Sequence, residues 1–500
     1  MRSWKRSWSS CRVADYYRPL ISVDKNGAAA LAPAEDSADV EKIMILSALR
    51  NGIRGILATS IVYPFAEYFE GRDIRTKTKW VRDEFDRSPA ERRSRAASRL
   101  AEMVVFAGEM VPYYQDLFAE RRFDPTKIRK DPRYIEDLPY MTKDIIREQG
   151  VRLLRKDYAG IRLHGAKTGG STGPSAMIYY DQEAVDWSSA VTQASRQYVG
   201  SPHWRSELHF ASKFPEVFPW RDRLREHVKC FAMNRDNIFF TTFSNEELEA
   251  IWRKIKRIRP HLAHAHPSTA YQLAGYVEET RGRDRAFKVF ESSGELLEPR
   301  QRERIERVLQ CRVINRYGLA EAGVIAYQLQ PTSTDMKFYE FYAWPEVSPT
   351  EDSGLPEIHG SRSGELVITP LFNRMMPLLR YRTGDNVVLV ESVEGPVISQ
   401  MVGRIHDVIT IAGTPLPTHY IQDVLDRVGG IREFQIEMRD GIPAFRLVLE
   451  SGVDEEFVRD RIYSWWSDKV KVEFISLAEL KLVGVRQKFR HLLPESASRS

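Results

Sequence analysis

KTGGSTGPS, Lys167 to Ser175, supports two incompatible readings. Gly169, Ser171 and Gly173 fit G-x-S-x-G, the sharp turn that exposes a hydrolase nucleophile. The same glycines and hydroxyls suit a loop that wraps a phosphate. The flanks separate the two. A nucleophile elbow needs an apolar strand running into the serine and a helix starting after it. Here polar RLHGAKTGG leads in, and strand-like AMIYYD follows. A Walker loop needs G-x-x-x-x-G-K-[ST] ahead of a helix. Gly165 to Gly170 has that spacing, but Ser171 stands where the lysine must be. What remains is a strand–loop–strand unit whose backbone N–H groups and hydroxyls at Thr168, Ser171 and Thr172 can face an anion. A plain Gly/Ser hairpin turn would carry the same letters.

Outward from this loop, short apolar runs alternate with amphipathic ones between about Leu163 and Gln330. LHFASKF, NIFFTTF and HLAHAH read as strands, and TAYQLAGYVEET and PRQRERIERVLQ as helices. Strands alternating with helices predict an α/β sheet. On the N-terminal side, Asp39 to Gly150 is mostly helical, with Ala97, Leu100, Ala101, Val104 and Val105 on one face and Pro112-Tyr113-Tyr114 ending that segment. Residues 1 to about 40 have no period and read as a loosely held extension. From Gly364 to Val402 strands dominate, as in ELVITPL and NVVLVES. The last hundred residues combine helix IQDVLDRV, strands FQIEMRD and AFRLVLE around Gly441, then a helix and a final strand, which predicts a small α+β domain.

Composition narrows the function classes. A chain of 500 residues is too long for one ordinary core. A formal net charge of +5 is too small and too dispersed for a phosphate-backbone binder. The densest basic run, RKIKRIR, has Ile251, Ile255 and Ile258 at helical spacing and reads as a solvated helix face. Cys11, Cys230 and Cys311 are far apart, which suits a reducing cytosol and gives neither a disulfide framework nor a zinc site. MRSWKRSWSSCR lacks the apolar run of a signal peptide. GILATSIVYPFAEYF, Gly55 to Phe69, is shorter than the ~20 apolar residues of a membrane span. It reads as a buried helix, with peripheral membrane contact as the alternative. In HLAHAH, His264 and His266 would share one strand face with His261 nearby. With no acidic or cysteine partner close in sequence, pocket lining or packing is expected there rather than zinc.

Further motifs follow in order: SSGEL at Ser292 to Leu296, NRYGLAEAG at Asn315 to Gly323, YRTGD at Tyr381 to Asp385, GRIHDVITIAG at Gly403 to Gly413, and VRQKFR near the end. Together with KTGGSTGPS and the upstream VPYYQDLFAERRFDPTKI and DLPYMTKDIIRE, this order resembles the acyl-adenylate-forming (ANL) superfamily, most closely its phenylacetate–CoA ligase-like branch. The resemblance runs from about residue 95 to the end. It implies an α/β fold: N-terminal extension and helices at 1–94, a large adenylation domain with mixed β-sheets and helices at 95–403, and a small mobile C-terminal α+β domain at 404–500.

The resemblance also implies ATP- and Mg²⁺-dependent activation of a carboxylic acid as an acyl-adenylate, with release of pyrophosphate. Acyl transfer to a thiol would follow, with CoA as the expected acceptor. An amine or a carrier-protein thiol is the alternative acceptor, and a degenerate nucleotide-binding protein is the alternative of another class. Intact Glu321, Asp385, Arg404 and Lys488 argue against the degenerate form. Thr168, Gly169, Gly170, Ser171, Thr172 and Gly173 would hold the β- and γ-phosphates. Tyr317, beside Gly318, would stack on adenine, with Ser293, Gly294 and Glu295 as the opposite wall. Glu321 would hold Mg²⁺, Asp385 both ribose hydroxyls, and Arg404 the ribose at the domain boundary. Lys488 would bridge the substrate carboxylate and the α-phosphate during adenylation. The small domain would then rotate about residues 404 to 407, with Gly413 facing the path of a pantetheine arm.

Three departures from the family pattern stand out. Gly173-Pro174-Ser175 lacks the lysine of the usual Gly-Lys-Pro, His406 replaces an acidic hinge residue, and Gln487 replaces the glycine before Lys488. The expected partners are thus a carboxylic acid (an aromatic one by resemblance) and CoA or another acceptor. No nucleic acid and no membrane span are expected, the location is cytoplasmic, and monomer and homodimer stay open.

Overall fold

The fold turns on β7, Arg312–Leu319, which serves two halves of one sheet. The computed structural model describes residues 51–168, 176–212, 220–240, 243–349, 360–404, 408–417, 421, 424–425, 427–483 and 488–493. Ahead of the sheet, β1 (His164–Lys167) and β2 (Met177–Tyr180) form an antiparallel hairpin, as the flanks of KTGGSTGPS predict. A parallel half follows from β3 (Glu207–Ser212), β4 (Arg235–Phe240), β5 (Leu262–Ala265), β6 (Val289–Ser292) and β7.

From Arg316 on, β7 pairs antiparallel with β8 (Gly323–Tyr327) instead. The sheet then takes in β9 (Met336–Phe338), β10 (Ala343–Ser348), β11 (Ser361–Pro370), β12 (Tyr381–Ser392) and β13 (Gly395–Arg404). The spatial order is β10-β11-β12-β13-β9-β8-β7-β6-β5-β3-β4. LHFAS of LHFASKF and NIFF of NIFFTTF fall on strands, as do most of HLAHAH, ELVITPL and NVVLVES, while 213–214 and 241–242 lie outside the described residues.

Parallel strands need crossovers, and helices supply them. Asn245–Ile258 joins β4 to β5, Pro267–Arg281 joins β5 to β6, and Pro299–Leu309 joins β6 to β7. In the first, the Ser244 side chain accepts from the Glu247 N–H, and Leu248, Ile251, Trp252 and Ile255 are buried. Arg253, Lys256 and Arg257 are left outside, so RKIKRIR is the solvated face its spacing predicts. Pro267–Arg281 is buried on nearly every side from Pro267 to Val277. One side meets the sheet's apolar cluster. At the other, Gln272 Nε2 donates to Glu433 at 3.3 Å, and Arg432 pairs with Glu279 at 2.8 Å.

Those partners belong to β16 (Ile431–Arg439), which follows the β14 (Val408–Ile411) and β15 (Thr414–Pro417) hairpin. β16, β17 (Ile442–Leu449) and β18 (Lys471–Phe474) form a three-stranded sheet over helix Glu455–Trp466. It encloses its own cluster of Phe434, Ile436, Phe445, Leu447, Val458 and Ile462. Asp440 and Gly441, both at positive φ, make the tight turn between β16 and β17. The chain's last described strands are β19 (Leu482–Val483) and β20 (Lys488–Phe489). IQDVLDRV lies partly outside the described residues, and residues 1–50 entirely so.

Two expectations need correction. Pro112 ends one helix, Pro89–Met110, but also starts another, Pro112–Arg121, since proline suits a first helical turn. The first of these runs unbroken through residues 94 and 95, with its capping box at Ser88 and Glu91. GILATSIVYPFAEYF is helical, yet Ile56, Leu57, Ile61, Phe65, Tyr68 and Phe69 are exposed rather than buried. No helix of the described residues is long and apolar enough to cross a membrane.

Candidate active site

At the neck of the glycine-rich loop, the Thr168 N–H donates to Ala176 O at 2.9 Å and the Ala176 N–H donates to Thr168 Oγ1 at 3.0 Å. Thr168 is buried there. Gly169, Gly170, Ser171, Thr172 and Gly173 lie outside the described residues, as do Pro174 and Ser175. At the other end of β2, the Tyr180 hydroxyl donates to the carbonyl of Ala320. Burial, reinforced by the charge of Glu321, pushes that phenol well above its ordinary value, so it stays a donor. The loop's base is thereby tied to the β7–β8 turn.

That turn carries AEAG. Glu321 is buried, and the Tyr381 hydroxyl donates to its Oε1 at 2.5 Å. Gly323 closes the turn at φ +72°, where a Cβ would meet Ser188 Oγ at 2.4 Å. Only glycine suits both the conformation and the contact. On β7 itself, Tyr317 is buried and its hydroxyl donates to Asp385 Oδ2 at 2.7 Å. Gly318 sits next to it, opposite Val324 in the bulged β7–β8 register.

YRTGD is the start of β12, and period-two alternation sorts its side chains. Tyr381, Thr383 and Asp385 are buried. Arg382 pairs with Glu365, which also accepts from the Gly384 N–H at 3.0 Å. The Thr383 hydroxyl donates to Leu366 O at 2.7 Å and accepts from the Asp385 N–H at 3.2 Å. Asp385 is in register with Arg404 on β13, so the two residues are backbone neighbours. Three strands separate β7 from β12 in the sheet order. The pairs Tyr317–Asp385 and Tyr381–Glu321 therefore join motifs that are distant both in sequence and along the sheet.

SSGEL leaves the end of β6. The Ser293 N–H donates to Ala265 O at 3.1 Å, and Ser293 O accepts from His266 Nδ1 at 2.7 Å. Gly294 turns at φ +83°. Glu295 Oε2 accepts from the Ser268 N–H at 3.3 Å, placing a carboxylate at the N-terminus of helix Pro267–Arg281. Glu295 Oε1 and Ser292 Oγ are buried without a hydrogen-bond partner among the described residues. Orphaned polar atoms of that kind call for a ligand or water.

Lys488 opens β20, opposite Val483 on β19. The side chains of Lys488 and Arg404 lie outside the described residues, as do His406 and Gln487. Among the described residues, then, Thr168, Glu321, Tyr317 and Asp385 are linked through Tyr180 and Tyr381. Sequence reasoning missed those two tyrosines and Glu365. The alternation in YRTGD, which puts Tyr381 on the face of Asp385, was the signal for one of them.

The three histidines have separate jobs. His266 lies past the end of β5, at the N-cap of the next helix, so it does not share a strand face with His264. His261 Nε2 contacts Gly200 O at 3.1 Å. His264 Nδ1 is 2.8 Å from Glu291 Oε2, an acidic partner that its own segment lacks but the adjacent β6 supplies. Burial drives that imidazole far below its ordinary value, so it is neutral. Glu291 also accepts from Arg196 at 2.6 Å, Arg316 at 3.2 Å and the Tyr327 hydroxyl at 2.7 Å, while Arg196 reaches Glu207 at 2.8 Å. No group of three or more metal-ligating side chains occurs among the described residues.

No family model matches the chain. It is 26% identical over 330 residues to phenylacetate-coenzyme A ligase of Escherichia coli (strain K12), covering 63% of this chain and 71% of that one. It is 25% identical over 414 residues to the Thermus thermophilus enzyme of the same name, covering 75% and 87%. The structure of 2-hydroxyisobutyryl-CoA ligase in the postadenylation state with R3-HIB-AMP aligns with a TM-score of 0.61 at 18% identity, over 82% of this chain and 91% of that one. The fold is that of the acyl-adenylate-forming superfamily. In sequence the chain is similar to enzymes named phenylacetate-coenzyme A ligase.

Proposed function

We propose that the protein is an ATP-dependent acid–thiol ligase. In the first half-reaction a carboxylate oxygen attacks the α-phosphorus of ATP. The bond from that phosphorus to the bridging oxygen breaks, and pyrophosphate leaves with the electron pair. In the second, the CoA thiolate attacks the acyl carbon, a C–S bond forms, and AMP departs as the C–O bond breaks. The thiol proton passes to solvent.

The chain's part is positioning and charge compensation. The observation that carries this proposal is the pair of tyrosine–carboxylate bonds, Tyr317–Asp385 and Tyr381–Glu321, which assemble two motifs of the family into one buried site. Asp385, oriented by Tyr317, would accept the ribose hydroxyls, with Arg404 beside it. Glu321, oriented by Tyr381, is a hard oxygen donor of the kind Mg²⁺ takes, and would hold that ion against the phosphates. Mg²⁺ there would offset phosphate charge. Tyr317, Ser293, Gly294 and Glu295 would enclose adenine, and the orphaned Glu295 Oε1 supports a polar ligand on that side. The loop from Thr168 to Gly173 would hold the departing phosphates, and Lys488 would carry the adenylation step.

We place the boundary of a mobile C-terminal domain at about residue 404, supported by the separate apolar cluster beyond it. An aromatic acid is the favoured substrate, because the named relatives act on phenylacetate. The unpaired Cys230 and Cys311 accord with work in the cytoplasm.

The test is ATP–pyrophosphate exchange across a panel of carboxylic acids, followed by CoA consumption with the acids that support exchange. Exchange with CoA-thioester formation is expected. No exchange with any acid would overturn adenylation, and exchange without CoA consumption would assign an amine or a carrier protein as acceptor.

A further inference from the structure

His491 lies three residues beyond Lys488, and its ring bridges two parts of the fold. Nε2 is 3.6 Å from Glu298 Oε1, and Nδ1 is 3.6 Å from Glu433 Oε1 and 3.1 Å from Phe434 O. The ring stacks on Phe434 with centroids 4.2 Å apart at 16°. Glu433 and Phe434 belong to β16. Glu298 belongs to the other side: it lies two residues beyond the end of SSGEL and is the N-cap of helix Pro299–Leu309, in a capping box with Gln301. The backbone next to His491 is fixed as well, since the Ile436 N–H donates to His491 O at 2.6 Å and the Leu493 N–H donates to Ile436 O at 2.9 Å.

We propose that His491 is a positioning residue: its ion pair with Glu298 fastens the strand that carries Lys488 to the segment forming the adenine wall, and so holds that lysine for adenylation. This rests on the assignment of Lys488 to the adenylation step. The latch is a small one, a single imidazolium between two carboxylates, so it can release when the second half-reaction needs the segment elsewhere.

The surroundings keep the ring charged. Burial alone would favour the neutral form, but the contact with Glu298 and the charges of Glu433 and Glu298 outweigh it and raise the imidazole to about 9. Glu298 is correspondingly lowered to about 2: burial opposes this, and His491 and Arg300 prevail. Burial raises Glu433, which the charges of His491 and Arg300 counter. Among the described residues, the groups around the ring include Glu298 and Arg300 from one helix start, Glu433 and Phe434 from β16, and Gln272, which holds Glu433 from helix Pro267–Arg281. A ring raised from 6.5 to about 9 contributes its full share of latch stability below 6.5. That share is lost as pH rises through about 9.

The two half-reactions separate the latch from the lysine's role. Phenylacetate, or the best acid of the panel, serves as substrate, with K488A as control. His491→Ala and Glu298→Gln are expected to lower the maximal exchange rate about tenfold or more, the loss of one charged contact, with the KM values for ATP and acid little changed. Transfer from preformed acyl-adenylate to CoA should be spared. His491→Arg, with a permanent charge, should restore exchange and remove the alkaline limb near pH 9 that wild type shows. If His491→Ala fails to fold, His491→Gln and Glu298→Gln carry the same expectation. Wild-type exchange and an unchanged pH profile in these variants, with K488A inactive, would overturn the latch and leave Lys488 in place. Wild-type exchange in K488A would instead remove the assignment on which the latch rests.

Discussion

The Tyr317 hydroxyl donates to Asp385 Oδ2 across 2.7 Å, joining two strands that three others separate in the sheet order. A hydrogen bond to a buried carboxylate contributes ~1.5–3 kcal/mol. Tyr317→Phe keeps the ring but removes the donor, so the KM for ATP should rise about tenfold, with the fold intact. Asp385→Asn should cost more than Tyr317→Phe, because it alters the proposed ribose acceptor itself. ATP titration calorimetry on both variants checks the order, and equal affinities for wild type and Asp385→Asn would remove the ribose role.

Tyr381 and Glu321 form the companion pair, at 2.5 Å. Glu321→Gln retains the shape and loses the charge, so its exchange activity should need far more Mg²⁺ for half-saturation. Tyr381→Phe should shift the Mg²⁺ dependence in the same direction by a smaller factor. An unchanged Mg²⁺ titration in Glu321→Gln would place the ion elsewhere.

The sheet and its crossovers were legible in the sequence because period and polarity decide them locally. TAYQLAGYVEET and NVVLVES needed no partner to be recognised. The site was legible only in pieces. YRTGD and NRYGLAEAG could be seen as motifs, but nothing in one announces that Tyr317 meets Asp385 or that Tyr381 meets Glu321. Those contacts depend on how the intervening strands bring the two ends together. Glu291, the partner of His264, was invisible for the same reason, since strand neighbours in a parallel sheet lie far apart in the chain. GILATSIVYPFAEYF misled in the other direction: its letters are apolar, yet burial depends on what packs against the helix.

Gly323 closes the turn that presents Glu321. Gly323→Ala would put a Cβ at 2.4 Å from Ser188 Oγ on backbone at φ +72°. A loss of about 1–3 kcal/mol is expected, read as a lower midpoint of chemical denaturation. Gly384→Ala makes a useful comparison, because its backbone is also left-handed but a Cβ there meets nothing within 4 Å. It should cost less.

Arg196, in the last turn of helix Gln182–Tyr198, places its guanidinium between Glu207 and Glu291. Arg196→Met leaves buried Glu207 without its guanidinium and Glu291 with that of Arg316 alone, and should destabilise by about 3–5 kcal/mol at neutral pH. Burial would raise Glu207, but Arg196 and His209 outweigh it and lower the group to about 2. A depressed carboxylate stabilises above its unfolded value of 4.5, and that contribution is lost as pH falls toward 2. The stability gap between wild type and Arg196→Met should therefore narrow in acid. Denaturation at pH 7 and at pH 3 measures it, and a constant gap would contradict the ion-pair explanation.

The most direct measurement is acid-dependent ATP–pyrophosphate exchange by wild type and Lys488→Ala, made alongside ATP binding to both. Robust exchange in wild type is expected, falling by orders of magnitude in Lys488→Ala while ATP affinity is nearly kept. Wild type that exchanges with no acid, or a variant that loses binding and exchange in equal measure, would contradict adenylation by this lysine.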